Sequence, residues 1–271
     1  MTSNEQRQSF YLVTRHLSFV TAFRAFVDNA SDTLLICVCR PDDLAFDKTF
    51  SVRREKQPVS LEQMRATHRA RRAEIRARLA EFAAVGREAT DARLWEELVF
   101  CIFTAGASAR MGLRSLAAVR PLLQDGSHDQ LARALTGVHR YPRSRSGYIV
   151  ATREHLWADC SMRLRVRLES FADAHARRDW LARTRDIKGL GYKEASHFLR
   201  NVGYRGYAIL DKHILRSLFE LGVTPAPAAP TTRTRYLATE EALRRFAKEA
   251  RIDFDELDLV LWSMKTGEIL K

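Results

Sequence analysis

"IKGLGYKEASHFL", residues 187–199, sets two glycines either side of one leucine and, two positions after the second, a lysine at the head of a helical pattern. The spacing Gly189-x-Gly191-x-x-x-Ala195 is flanked by helical patterns on both sides. Each glycine is free to take φ > 0, so the chain can turn tightly here and present its N–H groups. Amides at such a corner, beside a helix N-terminus, form an anion site of the kind a nucleic-acid phosphate fills. Ala195 is small enough for the second helix to pack close to the first. A dinucleotide-binding loop would need an apolar strand in front of it, and "LARTRDI" (181–187) is charged and helical. The stretch reads as a helix-hairpin-helix.

Lys193 falls in the first turn of the second helix, where a cation opposes the positive end of the helix dipole. For a surface lysine that is mildly unfavourable; for a nucleophile the same field favours the uncharged amine. Spacing alone leaves both readings open. A second stretch, "AILDKHILRSLFELG" (208–222), carries an apolar run into Asp211 and then an amphipathic helix. Asp is a preferred N-cap, which explains Asp211 structurally. A carboxylate near a lysine also suits acid–base work and stabilisation of a cationic sugar. His213, in the first turn of that helix, is placed to touch a phosphate.

The bulk sequence narrows the partner class. Its 271 residues suffice for one or two domains. Lys and Arg number 45 against 33 Asp and Glu, a net charge of +12. Such a field attracts polyanions, nucleic acid first and an anionic membrane surface second. A membrane span needs roughly 20 apolar residues, and the best run, "LVFCIFTAGASA" (98–109), is too short and reads as a buried helix. The polar "MTSNEQRQSF" start has no signal-peptide pattern. Cys37 and Cys39 have no second pair to complete a zinc site, Cys101 sits in an apolar run, and no cysteine follows Cys160. A reduced cytoplasmic protein with no metal or cofactor is expected.

Along the chain, residues 1–60 differ from the rest. "TLLICVCR" (33–40) reads as a strand, while "YLVTRHLSFVTAFRAFV" (11–27) fits helix or strand equally. From Ser60 the pattern is helical. "SLEQMRATHRARRAEIRARLAEFAAVG" (60–86) opens with a capping signature, and "DARLWEELVFCIFTAGAS" (91–108) is a core helix. Further helices are expected around 113–123, 127–137, 144–158, 163–174 and 179–185, then 212–221, 235–250 and 254–265. "GVTPAPAAPTTR" (222–233) is a stiff Pro/Ala-rich loop. The expected fold is mainly α: an N-terminal extension, 1–60, holding a strand and a segment of open type, and a helical domain, 61–271.

"DIKGLGYKEASHFLRNVGY" (186–204) followed by "AILDKHILR" (208–216) resembles the helix-hairpin-helix DNA glycosylase superfamily, and within it the type-2 8-oxoguanine DNA glycosylases of archaea and bacteria. "ELVFCIFTAGASA" (97–109), "HRYPRSRSGYIV" (139–150) and the final "LDLVLWSMKTGEILK" (257–271) extend the resemblance over roughly 60–271. It implies two helical lobes flanking a cleft. It also implies a bifunctional glycosylase/AP lyase of base excision repair, acting as a monomer on duplex DNA that carries an oxidised base, nucleoid-associated in a prokaryote. By resemblance Lys193 is the Schiff-base nucleophile and Asp211 the catalytic carboxylate. Gly189, Gly191 and His213 hold backbone phosphates. Trp262 and Lys271 belong to the base pocket, and Tyr141 probes the opposite strand, with Arg143 and Arg145 as basic neighbours on DNA. Read from the residues alone, Trp262 is equally a core tryptophan, Tyr141 a loop aromatic, and Arg143 and Arg145 solvated charges. Pro142 and Lys212 depart from the family pattern, which bears on opposite-base preference more than on chemistry. The competing expectations are a glycosylase for another modified base, a non-catalytic helix-hairpin-helix DNA-binding protein, and a basic scaffold for an acidic protein.

Overall fold

The computed structural model describes residues 9–16, 19–28, 33–39 and 58–269, with side chains from 58 onward. The chain divides into two compact units, Met1–Gln57 and Pro58–Lys271. In the first, β1 (Ser9–His16), β2 (Phe19–Asp28) and β3 (Thr33–Cys39) form an antiparallel sheet in the order β1-β2-β3. His16 pairs with Phe19, and Asp28 with Thr33. The segment whose periodicity was ambiguous is therefore a strand pair. Its Phe, Val and Thr residues favour a pleated surface. "TLLICVC" is the third strand, as the sequence suggests.

The second unit is helical. Its first half comprises α1 (Leu61–Glu88), α2 (Asp91–Thr104), α3 (Ala109–Val119), α4 (His128–Leu135), α5 (Pro142–Cys160) and α6 (Leu164–Glu169). Then follow α7 (Ala174–Arg183), α8 (Tyr192–Asn201), α9 (Lys212–Glu220), α10 (Arg233–Ala250) and α11 (Phe254–Thr266). Local sequence sets most of the starts. Ser60 and Gln63 close a reciprocal capping box at α1, and Ser127 and Gln130 another at α4. Thr90, Ser108, Asp173, Thr232 and Asp253 each accept a backbone N–H at their helix N-terminus. Each such cap is worth about 1 kcal/mol.

Two hydrophobic clusters hold these helices. The larger gathers Trp95, Leu98, Phe100 and Phe103 of α2 with Leu156 of α5 and Phe198 of α8. The other gathers Met64 and Ile75 of α1, Leu218 of α9, Leu243 of α10 and Leu261 of α11. Burying a leucine or phenylalanine of this kind stabilises the fold by about 1.5–3 kcal/mol. Helix α8 buries Ala195, Phe198 and Leu199 in the first cluster, while Tyr192 at its start packs on the second. The hairpin helix is thus the seam between two lobes.

Several boundaries differ from the sequence expectation, among them the start of α3, at Ala109 rather than 113, where Ser108 caps the helix. The helix expected at 163–174 stops at Glu169, and the one expected at 179–185 begins at Ala174, because Asp173 caps it by accepting from the Ala176 amide at 2.8 Å. Helix α5 starts at Pro142, two residues before the expected 144, and proline suits the first helical position. No described helix is long and apolar enough to cross a membrane.

Candidate active site

The corner between α7 and α8 uses its two glycines differently. Gly189 has φ +78°, and a Cβ there would lie 2.7 Å from Tyr148 Cδ2, so only glycine fits. Gly191, at φ −96°, is extended backbone that any residue can adopt. Of the two glycines free to take positive φ, Gly189 alone does so. The corner is docked rather than free. Ile187 and Leu190 are buried, and the Lys188 N–H donates to Thr152 Oγ1 of α5 at 2.9 Å. Gly191 caps α8 without a side chain, and its own N–H donates to Glu194 Oε2 at 3.2 Å.

Lys193 stands in the first turn of α8 with its side chain one-quarter exposed. Its Nζ lies 2.9 Å from Glu194 Oε1, so the amine has an acidic partner beside it. Asp211 caps α9 as expected: its Oδ1 accepts from the amides of His213 and Ile214, both at 2.8 Å. That leaves Oδ2 without a hydrogen bond among the described residues.

Lys193 and Asp211 line a single cavity of about 1190 Å³, together with Gly191, His213 and Trp262. One wall is α8, where Lys193, His197 and Arg200 recur at helical spacing, and the facing wall is α11, with Asp258, Trp262 and Thr266 one turn apart. Ser108 to Met111 at the start of α3, with Pro227 and Ala229 to Thr231 of the Pro/Ala-rich loop, close its sides. Lys271 lies outside the described residues.

Sequence reasoning missed Asp258. It lies on the same face of α11 as Trp262, its side chain 7% exposed, and Arg200 Nη1 donates to its Oδ2 at 2.5 Å. Burial pushes its carboxyl up to about 6; Arg200 opposes the shift, while Asp211 and Asp255 add to it. A second carboxylate therefore stands within electrostatic reach of Asp211. The only sequence signal was one acid in the apolar run "LDLVLW".

The remaining candidates lie off the cavity. Tyr141 precedes α5 and is 42% exposed. It is held from behind, since its N–H donates to His139 Nδ1 at 3.0 Å while His139 Nε2 meets the Phe103 carbonyl at 3.1 Å. Burial lowers the His139 pKa, with the two neighbouring arginines, Arg140 and Arg145, acting in the same direction. Arg143 is exposed, 3.7 Å from Asp129. Arg145 differs from the expectation of a DNA-facing charge. It is buried, donates to the Ala105 carbonyl and packs against the Tyr148 ring. Its place in α5 explains this, since residue 145 shares the buried face with Ile149, Thr152 and Leu156. Gly189 is next to this guanidinium.

A family model described as "8-oxoguanine DNA glycosylase" matches residues 75–252. The 8-oxoguanine DNA glycosylase/AP lyase of Korarchaeum cryptofilum (strain OPF8) is 41% identical over 198 residues, 73% of this chain and 90% of the relative. The crystal structure of the Methanocaldococcus jannaschii 8-oxoguanine DNA glycosylase superposes with a TM-score of 0.70 at 34% identity, covering 78% of this chain and 95% of that one. The 8-oxoguanine glycosylase/lyase of the same organism, in complex with a 15mer DNA containing 8-oxoguanine, gives 0.69 at 34% identity, covering 78% and 99%.

Proposed function

The chain belongs to the 8-oxoguanine DNA glycosylase family, and from that premise we propose that it excises 8-oxoguanine from duplex DNA and cleaves the resulting abasic site, with Lys193 as nucleophile and Asp211 as its carboxylate. The observation that carries the assignment is the meeting of Lys193 and Asp211, from two separate elements, in one cavity with Trp262. The target nucleotide must leave the stack to reach the cavity, at a cost of roughly a few kcal/mol, and the Trp262 indole offers the extruded base a stacking face.

In this reading the Nζ lone pair attacks C1′ as the C1′–N9 bond breaks. The base departs with the bonding electrons and takes up a proton. Asp211 stabilises the positive charge developing on the sugar. Glu194 and Asp211 are the acceptors at hand for the protons Lys193 sheds. Ring opening gives the Schiff base; loss of the C2′ proton then breaks the C3′–O bond, and water releases Lys193 from the imine. The Gly189–Gly191 corner and His213 grip the backbone phosphates, Tyr141 enters the opposite strand with Arg143 beside it, and Lys271 joins Trp262 at the base. Arg145 supports the corner from within. The protein acts as a monomer in the prokaryotic cytoplasm, on the nucleoid, and its net charge of +12 supplies the nonspecific grip on DNA.

The test is borohydride trapping on a duplex with one 8-oxoguanine. A covalent protein–DNA adduct is expected, and Lys193→Gln abolishes it while DNA binding persists, since one amine among 45 basic residues adds little to a distributed grip. An adduct undiminished in Lys193→Gln removes this lysine from the mechanism.

A further inference from the structure

Against the wall that carries Lys193 lies a buried polar cluster that the chemistry above does not use, with Tyr192 and Tyr236 reaching the cavity lining. Arg178 of α7 and Glu240 of α10 are 1% and 3% exposed. They form a two-pronged pair, Nη1 to Oε2 at 2.6 Å and Nη2 to Oε1 at 3.0 Å. The guanidinium is also 5.3 Å from the ring centres of Tyr207 and Tyr236 and 5.8 Å from that of Tyr192, an arrangement of aromatic faces that offsets part of the cost of burying a cation.

The cluster reaches both halves of the catalytic pair. Towards Lys193, Arg178 Nη1 donates to Ser196 Oγ of α8 at 3.2 Å, one turn after the lysine. Towards Asp211, the partners are the backbone of the segment leading into it. The Ala208 N–H donates to Glu240 Oε2 at 2.9 Å, the Tyr236 hydroxyl donates to the Ala208 carbonyl at 2.7 Å, and the Leu210 N–H reaches Tyr236 Oη at 3.4 Å. Tyr236 Oη is also 3.3 Å from Ser196 Oγ. Residues 207–210 belong to no helix or strand, yet Ala208 and Leu210 are buried. Buried amides and carbonyls need partners, and here side chains of α10 provide them.

We propose that Tyr236 and Glu240 are positioning residues for the catalytic pair. Through Arg178 and Ser196 they fix the helix of Lys193, through the 208–210 backbone they fix Asp211, and so they set the distance between amine and carboxylate. The inference rests on the assignment of Lys193 and Asp211 as nucleophile and carboxylate. A displacement of about 1 Å in such a pair can cost on the order of a hundredfold in rate.

Tyr236→Phe removes one hydroxyl and keeps the ring. With 8-oxoguanine duplex in single-turnover trapping, at a temperature where both proteins are fully folded, the adduct is expected to form at least about tenfold more slowly. Affinity for a duplex with an uncleavable abasic analogue stays within about twofold, because the phosphate grip is untouched. In an Asp211→Asn background, adding Tyr236→Phe produces clearly less than the full multiplicative loss, since both changes act on the one amine–carboxylate pair. Glu240→Gln leaves Arg178 short of its counter-charge; if that variant does not fold, Tyr236→Phe and Ser196→Ala still decide the question. Tyr236→Phe trapping at the wild-type rate, or a full multiplicative loss on top of Asp211→Asn, overturns the inference. Failure of the wild-type protein to form any adduct would instead strike the Lys193 assignment itself.

Discussion

Arg200 and Asp258 join α8 to α11 at the wall of the cleft through a 2.5 Å hydrogen bond, both side chains less than a tenth exposed. The pair ties the helix of Lys193 to the helix of Trp262, so the two walls of the cavity share one buried ionic contact. Removing one partner of such a pair leaves a buried charge and typically costs about 3–5 kcal/mol.

Asp258 gives that contact a pH signature. Burial, with Arg200 opposing, sets its carboxyl at about 6 in the folded protein against an ordinary 3.8. The folded state therefore binds this proton more tightly than the unfolded chain. The stability it contributes is fully present below about 3.8 and lost as pH rises through about 6. Urea unfolding of wild type and Asp258→Asn from pH 4 to 8 isolates the effect. The variant, whatever its constant offset, is expected to gain on wild type up to about pH 6 and to level off above it. A difference that stays flat across the range sinks this account.

Glu220 carries the opposite sign. Burial alone would raise its carboxyl. Lys265 Nζ at 2.6 Å, the Val59 amide at 2.9 Å and Arg216 Nε at 2.8 Å outweigh burial and bring it down to about 2 from 4.5. Its stabilisation is present above about pH 4.5 and lost as pH falls through about 2. At neutral pH that shift corresponds to on the order of 3 kcal/mol. Glu220→Gln is expected to melt well below wild type at pH 7 and to converge with it near pH 2. Parallel melting curves at both pH values would count against the linkage.

The two glycines of the corner separate stability from DNA contact. Gly189→Ala meets both a positive φ and the Tyr148 ring at 2.7 Å. It is expected to cost about 1–3 kcal/mol and to shift α8 along with the corner. At Gly191 a Cβ finds nothing nearer than Glu194 Oε2 at 3.4 Å. Gly191→Ala is therefore expected to lose less than about 1 kcal/mol. Its methyl group stands where the proposed phosphate would approach, so affinity for abasic-analogue DNA falls. Thermal melts and fluorescence anisotropy on the two variants read the two effects apart.

The corner was legible in the sequence because its signals are local: glycines at fixed spacing, a charged helix before them, an N-cap aspartate after them. What was not legible depends on pairing across the fold. Arg178 lies in "HARRDW" and Glu240 in "ATEEAL", charged runs that read as solvated helix faces, yet both are buried against each other. Arg145 was hidden in the same way, since a basic residue in "RYPRSRSG" reads as a solvated charge, yet it lies one turn before Ile149 on the buried face of α5. Asp258 needed Arg200, 58 residues away, to become interpretable. In residues 11–27 apolar side chains occur at both helical and strand periods, and only strand pairing decides between them.

The boundary of the helical unit yields a sharper expectation than the one at residue 60. Pro58 to Ser60 belong to that unit, and they contribute to it. Val59 is 6% exposed within the cluster of α1, α9, α10 and α11, its N–H donates to Glu220, and Ser60 caps α1. A chain starting at Pro58 keeps all three contacts; one starting at Leu61 keeps none. Loss of a buried valine (about 1.5 kcal/mol) and of a helix cap (about 1 kcal/mol), with a carboxylate hydrogen bond gone as well, comes to about 3 kcal/mol or more. In a domain of this size each kcal/mol moves the melting midpoint by about 2–4 °C, so the shorter chain is expected to melt at least about 6 °C below the longer one. Both retain Lys193 and Asp211, so both are expected to form the trapped adduct at temperatures where they are folded. Equal midpoints for the two chains would mean that Val59 and Ser60 do not help to hold α1 against α9.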